Sequence, residues 1–430
     1  MRSPVEGISV DKAEQNKRHS PAKIAFLGNF GQKNLGNEAT LRAIVENIRA
    51  RVPDADLMCI CTDPVVAASI HGIATLPIHA LFADPKFLQQ NAFTKLLRKL
   101  AIGIPNEVRR WLLALRALRQ ADMLIVPGTQ FLSDSIPGPW GWPYWAFRWC
   151  IAAKLRGSKV LFVSVGVGPL LHPLSRFFVK SALRLADFRS YRDQTSKQYL
   201  RGIAFVRSDD PVYPDLVFSL PLTAFPKGGQ SEQTRPTIAV GVKDYHGQYD
   251  KARADLPAEH IYQRYIAQLV RFLEWLLRSG YTVRLVIGDV TYDTQVLHDV
   301  RRSLAQLQVN YDEDRLIAEP IESIDDLLGQ LATCDVVVSP RFHNIVFALM
   351  LNRPVIAISY HEKFAALLES ARLAKLSVTI DDADPEIVIE KFRELESDRE
   401  ELKQQIASNV ARYEAALNQQ YDRILDLLPR

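Results

Sequence analysis

The sequence predicts an α/β protein of two doubly wound, Rossmann-like domains facing a cleft, with a C-terminal helix. Three observations carry that expectation. Short apolar runs of strand length alternate with longer runs of helical period. The strand-like runs end in turns rich in glycine and proline, as parallel strands feeding helices do. A polar stretch at 223–236, with Pro226, Gly228, Gly229, Ser231 and Pro236, divides the series into two halves of similar size.

The first domain is expected over 23–222, after a polar tail at 1–22 that reads as disordered. Ile24 to Leu27 form its first strand, ending in Gly28-Asn29-Phe30-Gly31. Leu41, Ile44, Val45 and Ile48 share one face and predict a helix from Glu38 to Ala50. Further strands follow at Leu57 to Cys61, Met123 to Val126 and Val160 to Val165, the last ending at Gly166-Val167-Gly168-Pro169. The second domain, 237–383, repeats the plan with strands Thr237 to Val242, Val283 to Ile287, Val336 to Ser339 and Val355 to Ser359. Its first helix is expected from Tyr262 to Leu277, with Ile266, Leu269, Val270, Leu273 and Leu277 in phase. Residues 384–430 read as charged amphipathic helix, broken at most once. This is the two-lobed plan called GT-B, in which ligands bind between the lobes at strand carboxyl ends.

Two segments interrupt the first domain. Leu81 to Gln120 carries eight basic residues, among them Lys86, Arg109, Arg110, Arg116 and Arg119, against only Asp84 and Glu107. Its apolar residues fall at helical spacing, so it is either the basic outer face of a packed helix or a surface that an anionic membrane attracts. Pro137 to Trp149 holds Trp140, Trp142, Trp145 and Trp149. Such a cluster either packs into the core, stacks on sugar rings, or sits at the level of lipid headgroups.

At 430 residues and 47% hydrophobic, with 24% charged, the chain has the composition of a globular protein. A net charge of +4 does not suggest nucleic acid as a partner. Cys59, Cys61, Cys150 and Cys334 make no disulfide framework, and a lone C-x-C pair falls short of a zinc site. Neither a metal nor a cofactor is expected. No run approaches the roughly 20 apolar residues that cross a bilayer. A cytoplasmic protein is expected, with contact only at the inner face of a membrane.

The chemistry concentrates at strand ends. Ser339-Pro340-Arg341-Phe342-His343-Asn344 follows an apolar strand and precedes an apolar helix, so Arg341 and His343 stand beside a helix N-terminus, where anions bind. A guanidinium grips phosphate or carboxylate through paired hydrogen bonds, and an imidazole moves protons near neutral pH. Lys243 with His246 closes another strand, and Lys363 follows a fourth. Basic groups at several strand ends point to an anionic ligand, either a nucleotide sugar or a small phosphorylated acid. In the first domain Gly28, Gly31, Asn37, Asp134, Gly166 and Gly168 occupy the turns where backbone could approach a ligand. Asp193 follows Arg192 and reads either as a helix cap or as a catalytic carboxylate.

In order along the chain, these pieces resemble the polysaccharide pyruvyl transferase family. The matching stretches are Gly28 to Leu41, the Gly128 turn with Leu132 and Asp134, Val163 to Pro169, Ser190 to Ser196, Asp215 to Leu220, and Arg341 through Tyr360 to Lys363. The resemblance implies a GT-B-like transferase that moves the enolpyruvyl group of phosphoenolpyruvate onto a sugar, forming a pyruvate ketal. Its acceptors would be cell-surface glycan or exopolysaccharide intermediates, including lipid-linked oligosaccharides. It also implies that Arg341 and His343 belong to the donor site, with Arg192 as a second cation. His343 as imidazolium is then the expected general acid, and Asp134, Asp193 or Asp289 the expected base toward the acceptor. Two departures lie in the first domain: Pro127-Gly128-Thr129-Gln130 replaces a frequent glycine run, and Asn37 stands where aspartate is common. Two alternatives remain open: a glycosyltransferase using a nucleotide sugar, for which no suitable glutamate pair is seen, and a non-catalytic scaffold in polysaccharide assembly.

Overall fold

The computed structural model describes residues 21–80, 99–134, 138–207, 209–222, 235–247, 257–307 and 311–429. Most of the tail at 1–22 and of the linker at 223–236 lies outside these residues, as does the first part of the basic segment, 81–98.

Among the described residues twelve strands form two sheets of six, and every pairing within them is parallel. The first sheet runs β3-β2-β1-β4-β5-β6, with β1 Lys23–Leu27, β2 Asp56–Cys61, β3 Ala74–Pro77, β4 Met123–Pro127, β5 Lys159–Val165 and β6 Phe188–Tyr191. The second runs β12-β11-β10-β7-β8-β9, with β7 Thr237–Gly241, β8 Thr282–Val286, β9 Leu316–Ile317, β10 Val336–Ser339, β11 Val355–Ser359 and β12 Ser377–Thr379. The two orders are the same doubly wound topology read from opposite edges. Each sheet reverses its winding beside its first strand, and the crevice created there opens at the strand carboxyl ends.

The strand interiors are continuous apolar runs because helices cover both sheet faces. In the first lobe these are α1 Leu35–Arg51, α2 Pro64–His71, α3 Ile104–Ala117, α4 Trp142–Leu155, α5 Pro173–Leu185 and α6 Gln194–Gly202. In the second they are α7 Ala258–Arg278, α8 Asp293–Gln306, α9 Ile324–Ala332, α10 Phe342–Met350 and α11 Glu362–Ser370, followed by α12 Pro385–Ser397 and α13 Arg399–Leu425. The expected break in the terminal helix is at Asp398. Among the described residues no helix is long and apolar enough to cross a membrane.

Helix α13 returns from the second lobe to the first. Its Gln420, fully buried, accepts from Ser190 Oγ at 2.7 Å and donates to Ser164 Oγ at 3.0 Å, while Tyr421 meets Ser219 at 2.9 Å. Gln420→Ala would strip two buried hydroxyls of these partners at the ends of β5 and β6. Urea unfolding should show a loss of about 1–3 kcal/mol. A loss under 0.5 kcal/mol would mean the helix docks by apolar contact alone.

Candidate active site

The lobes meet through their strand-end loops. Leu35 N donates to Gly288 O at 3.1 Å, Val290 N donates to Lys33 O at 3.2 Å, and the Asn34 amide donates to Asp289 at 3.0 Å. This clamp sets the start of α1 against the start of α10. Gly36 lies flat under the His343 ring, and a Cβ there would stand 1.8 Å from Nδ1. Glycine is required at that point because no side chain fits between the lobes.

The second lobe supplies the cations. Arg341 is the N-cap residue of α10, so the helix begins at Phe342, earlier than the apolar periodicity indicated. Its guanidinium is bonded to Asp293, which is fully buried at the start of α8. Asp293 also accepts from the backbone N–H of Asp244 at 3.1 Å, Gly288 at 3.1 Å and Asp289 at 3.0 Å. One carboxylate thus ties the ends of β7, β8 and β10 together. Burial pulls the Arg341 guanidinium down, yet the adjacent Asp293 raises it on balance. Lys243 Nζ donates to Asp244 O and lies 4.8 Å from the centre of the Tyr360 ring. Lys363 Nζ stands 5.6 Å from the same ring and 5.2 Å from that of Phe342. Burial, with neighbouring cations second, lowers Lys243 to about 8 and Lys363 to about 7.

The first lobe adds Arg192, at the end of β6. It sits 5.0 Å from the other side of the cleft at Phe342 and 3.5 Å from Asp193 and Asp215. Gly166 makes room for it, since a Cβ there would come within 2.8 Å of Nη2. Asp215 is almost fully buried and stands 3.8 Å from His343 Nε2. Burial raises its carboxyl, and Arg192 opposes that rise. His343 itself is pushed well below its ordinary value by burial first and then by Lys363, Arg192 and Arg341. Burial first, and then the surrounding cations, therefore favour the neutral ring in the unliganded site over the imidazolium expected from sequence.

Several buried polar atoms meet here without a hydrogen-bonding protein group: His343 Nε2, Arg341 Nε and both amide atoms of Asn344. Buried polar atoms are almost always paired in folded proteins, so a cluster of orphans marks where a ligand supplies the partners. Among the described residues Lys363 makes no ion pair within 4 Å and no hydrogen bond through Nζ.

The other residues singled out from sequence have local duties. Asp193 caps α6 by accepting from Ser196 N at 2.6 Å. Asp134 accepts from Leu171 and His172 N–H, both at 2.9 Å, and holds the loop before α5. Asp289 accepts from Thr291 and Tyr292 N–H, in addition to Asn34. None of these three expected bases faces His343; Asp215 does. Gly31 N donates to the buried Glu38, and a Cβ on Gly28 would strike the Phe30 ring. Asn37 donates to Asn29 O, Gly168 lies against the Tyr199 ring, and His246 pairs with Asp244 while stacking on Tyr262. Asp293, Asp215, Asn344, Tyr360 and Gly36 were not assigned roles from sequence. Asp215 heads the Asp-Leu-Val-Phe-Ser-Leu block, which was the available signal for it. In the departed turn, the Gln130 amide lies 3.1 Å from His361 Nε2 across the cleft.

A family model described as polysaccharide pyruvyl transferase matches residues 34–362, which span every cleft residue from Asn34 to His361. The amylovoran biosynthesis protein AmsJ of Erwinia amylovora is 20% identical over 414 residues, covering 90% of this chain and 95% of its own. Among solved structures, a glycosyltransferase from Rickettsia africae aligns with a TM-score of 0.56 at 12% identity, over 95% of this chain and 99% of that one. The UDP-GlcNAc 2-epimerase of Neisseria meningitidis, bound to UDP-GlcNAc, aligns with a TM-score of 0.52 at 12% identity, over 94% and 100%. At such identities the structural likeness establishes the GT-B-like fold and nothing about ligands.

Proposed function

The chain belongs to the polysaccharide pyruvyl transferase family, and we propose that it moves the enolpyruvyl group of phosphoenolpyruvate onto a sugar of a surface polysaccharide intermediate, closing a pyruvate ketal. The observation that carries the proposal is the buried ammonium of Lys363 beside the orphaned polar atoms of His343, Arg341 and Asn344. Arg341 is neutralised by Asp293, and Arg192 by Asp215 and Asp193, whereas among the described residues no carboxylate pairs with Lys363 within 4 Å. A small ligand with a carboxylate and a phosphate would neutralise Lys363, reach Lys243 beside the same Tyr360 ring, and bond to Asn344 and the Arg341 Nε–H.

The reaction then follows from charge. A proton added to the donor methylene leaves its neighbouring carbon electron-deficient. One sugar hydroxyl adds to that carbon and releases its proton. The C–O bond to phosphate breaks, the second hydroxyl closes the ketal, and its proton leaves with the phosphate. The products are the ketal and inorganic phosphate, with atoms and charge conserved. His343 is the proton carrier: donor anions offset the cations that suppress it, so it gains basicity as the site fills. Asp215 faces the imidazolium once it forms. Arg192 and the lysines hold the leaving phosphate.

Calorimetry with phosphoenolpyruvate, beside uridine diphosphate, tests the donor. We expect saturable binding of phosphoenolpyruvate, competed by inorganic phosphate, and none of the nucleotide. Binding of the nucleotide alone would replace this reading with a nucleotide-sugar transferase. Phosphate release that requires a sugar acceptor, with a pyruvylated product by mass, would complete the assignment.

A further inference from the structure

Helix α3 is built backwards for a surface helix. Ile104, Val108, Leu112 and Leu113, each 42–52% exposed, lie on its solvent side together with exposed Arg116, and exposed Arg119 follows its end. Its acidic residue, Glu107, turns inward instead, accepting from Tyr144 Oη at 2.6 Å and pairing with Arg110 and Arg148. The outer face is therefore apolar and cationic, with the helix's single carboxylate turned away from it. The patch continues across α4 and α5. Trp111 donates to Tyr144 Oη, Tyr144 packs on Trp140 at 5.3 Å, and both meet Phe178. Trp140 is 63% exposed, and exposed Phe177 packs on Phe178 beside it. Just under α3 a cleft of about 360 Å³ is lined by Leu113 and Trp149, with Arg110, Arg116 and Arg148 around it. The buried Arg148 Nε has no protein partner.

We propose that this face of the first lobe docks on an anionic lipid bilayer. The charge distribution selects that occupant. An apolar stripe, exposed arginines and an exposed tryptophan suit a headgroup layer with negative phosphates, where side chains insert a few ångströms and cations stay at the phosphate plane. A protein partner would have to be both apolar and acidic. The inference deepens the proposed function, since a lipid-linked acceptor is held at such a surface, but it rests on different residues.

The test is flotation of the full chain with vesicles of phosphatidylcholine alone or with about 30% phosphatidylglycerol. We expect retention on the anionic vesicles, lost at high salt. The double variant Arg116→Glu/Arg119→Glu should lower partitioning by about thirty-fold or more, from roughly 1 kcal/mol per cation. Val108→Asp/Leu112→Asp should abolish it while phosphoenolpyruvate binding by calorimetry is unchanged, which shows that the variant is folded. No retention on anionic vesicles, or retention that neither variant alters, overturns the inference. So would light scattering that shows a dimer dissolved by Val108→Asp/Leu112→Asp with no vesicle binding. Vesicle retention without any phosphoenolpyruvate binding would leave the docking face standing and remove only the donor assignment.

Discussion

His343→Asn is expected to lower turnover about a hundred- to ten-thousand-fold, the usual worth of a positioned general acid, while donor affinity and thermal stability stay near wild type. The asymmetry comes from geometry. His343 Nε2 has no hydrogen-bond partner, so removing the ring breaks none through that atom. The ring packs on Gly36, and asparagine is smaller, so the lobes can still close. A residue that only packed would show its loss as a lower Tm and a raised KM; one that carries a proton shows it in kcat. The pH profile adds a second readout. Burial, Lys363, Arg192 and Arg341 keep the free imidazole neutral, so kcat/KM should decline with rising pH on a limb that the Asn variant lacks. Turnover within a few-fold of wild type would remove His343 from the chemistry and leave it as a contact between lobes.

The central strands and the cation cluster were legible in the sequence because each has a local signature. β1, β4, β5, β7, β8, β10 and β11 are apolar runs followed by turns, which is what burial on both faces demands. The outer strands escaped for the converse reason. β3 is only half-buried, β6 carries Arg189 and Ser190, and β9 and β12 span two and three residues. Edge strands need little apolar sequence. Arg341 and His343 were visible because strand, turn and helix are contiguous there. Asp215 and Asp293 were not, since each works on a residue far away: Asp293 is 48 positions before Arg341, and Asp215 faces an imidazole in the other lobe. Gly36 was one glycine among many until the fold set it under His343. Contacts made by closing two lobes leave no period or spacing to read.

Lys363→Met is expected to make the protein more stable and poorer at holding its donor. In the unliganded site the ammonium is packed among Phe342, Tyr360 and Phe364, where burial and then three cations outweigh the pull of Asp215. Its value falls to about 7 from the ordinary 10.5, so the folded state binds this proton less readily than the unfolded chain does. The sign follows by linkage: the charged lysine destabilises the fold fully below about pH 7, and the penalty fades as pH climbs toward 10.5. Methionine fills the same space without the charge. Denaturant unfolding should therefore show a gain of about 1–2 kcal/mol at pH 6, discounted for partial exposure, that shrinks at pH 9. Donor affinity should move oppositely, by about thirty-fold or more, as expected when one member of a buried ion pair is removed. In wild type, affinity should weaken as pH rises through 7 and 8, where Lys363 and then Lys243 lose their protons. The variant should keep only the later part of that decline. A purely structural lysine would give the reverse pattern, with lower stability and unchanged binding. Stability given up at a cation cluster and recovered when an anion arrives is the signature of a binding site rather than of a salt bridge.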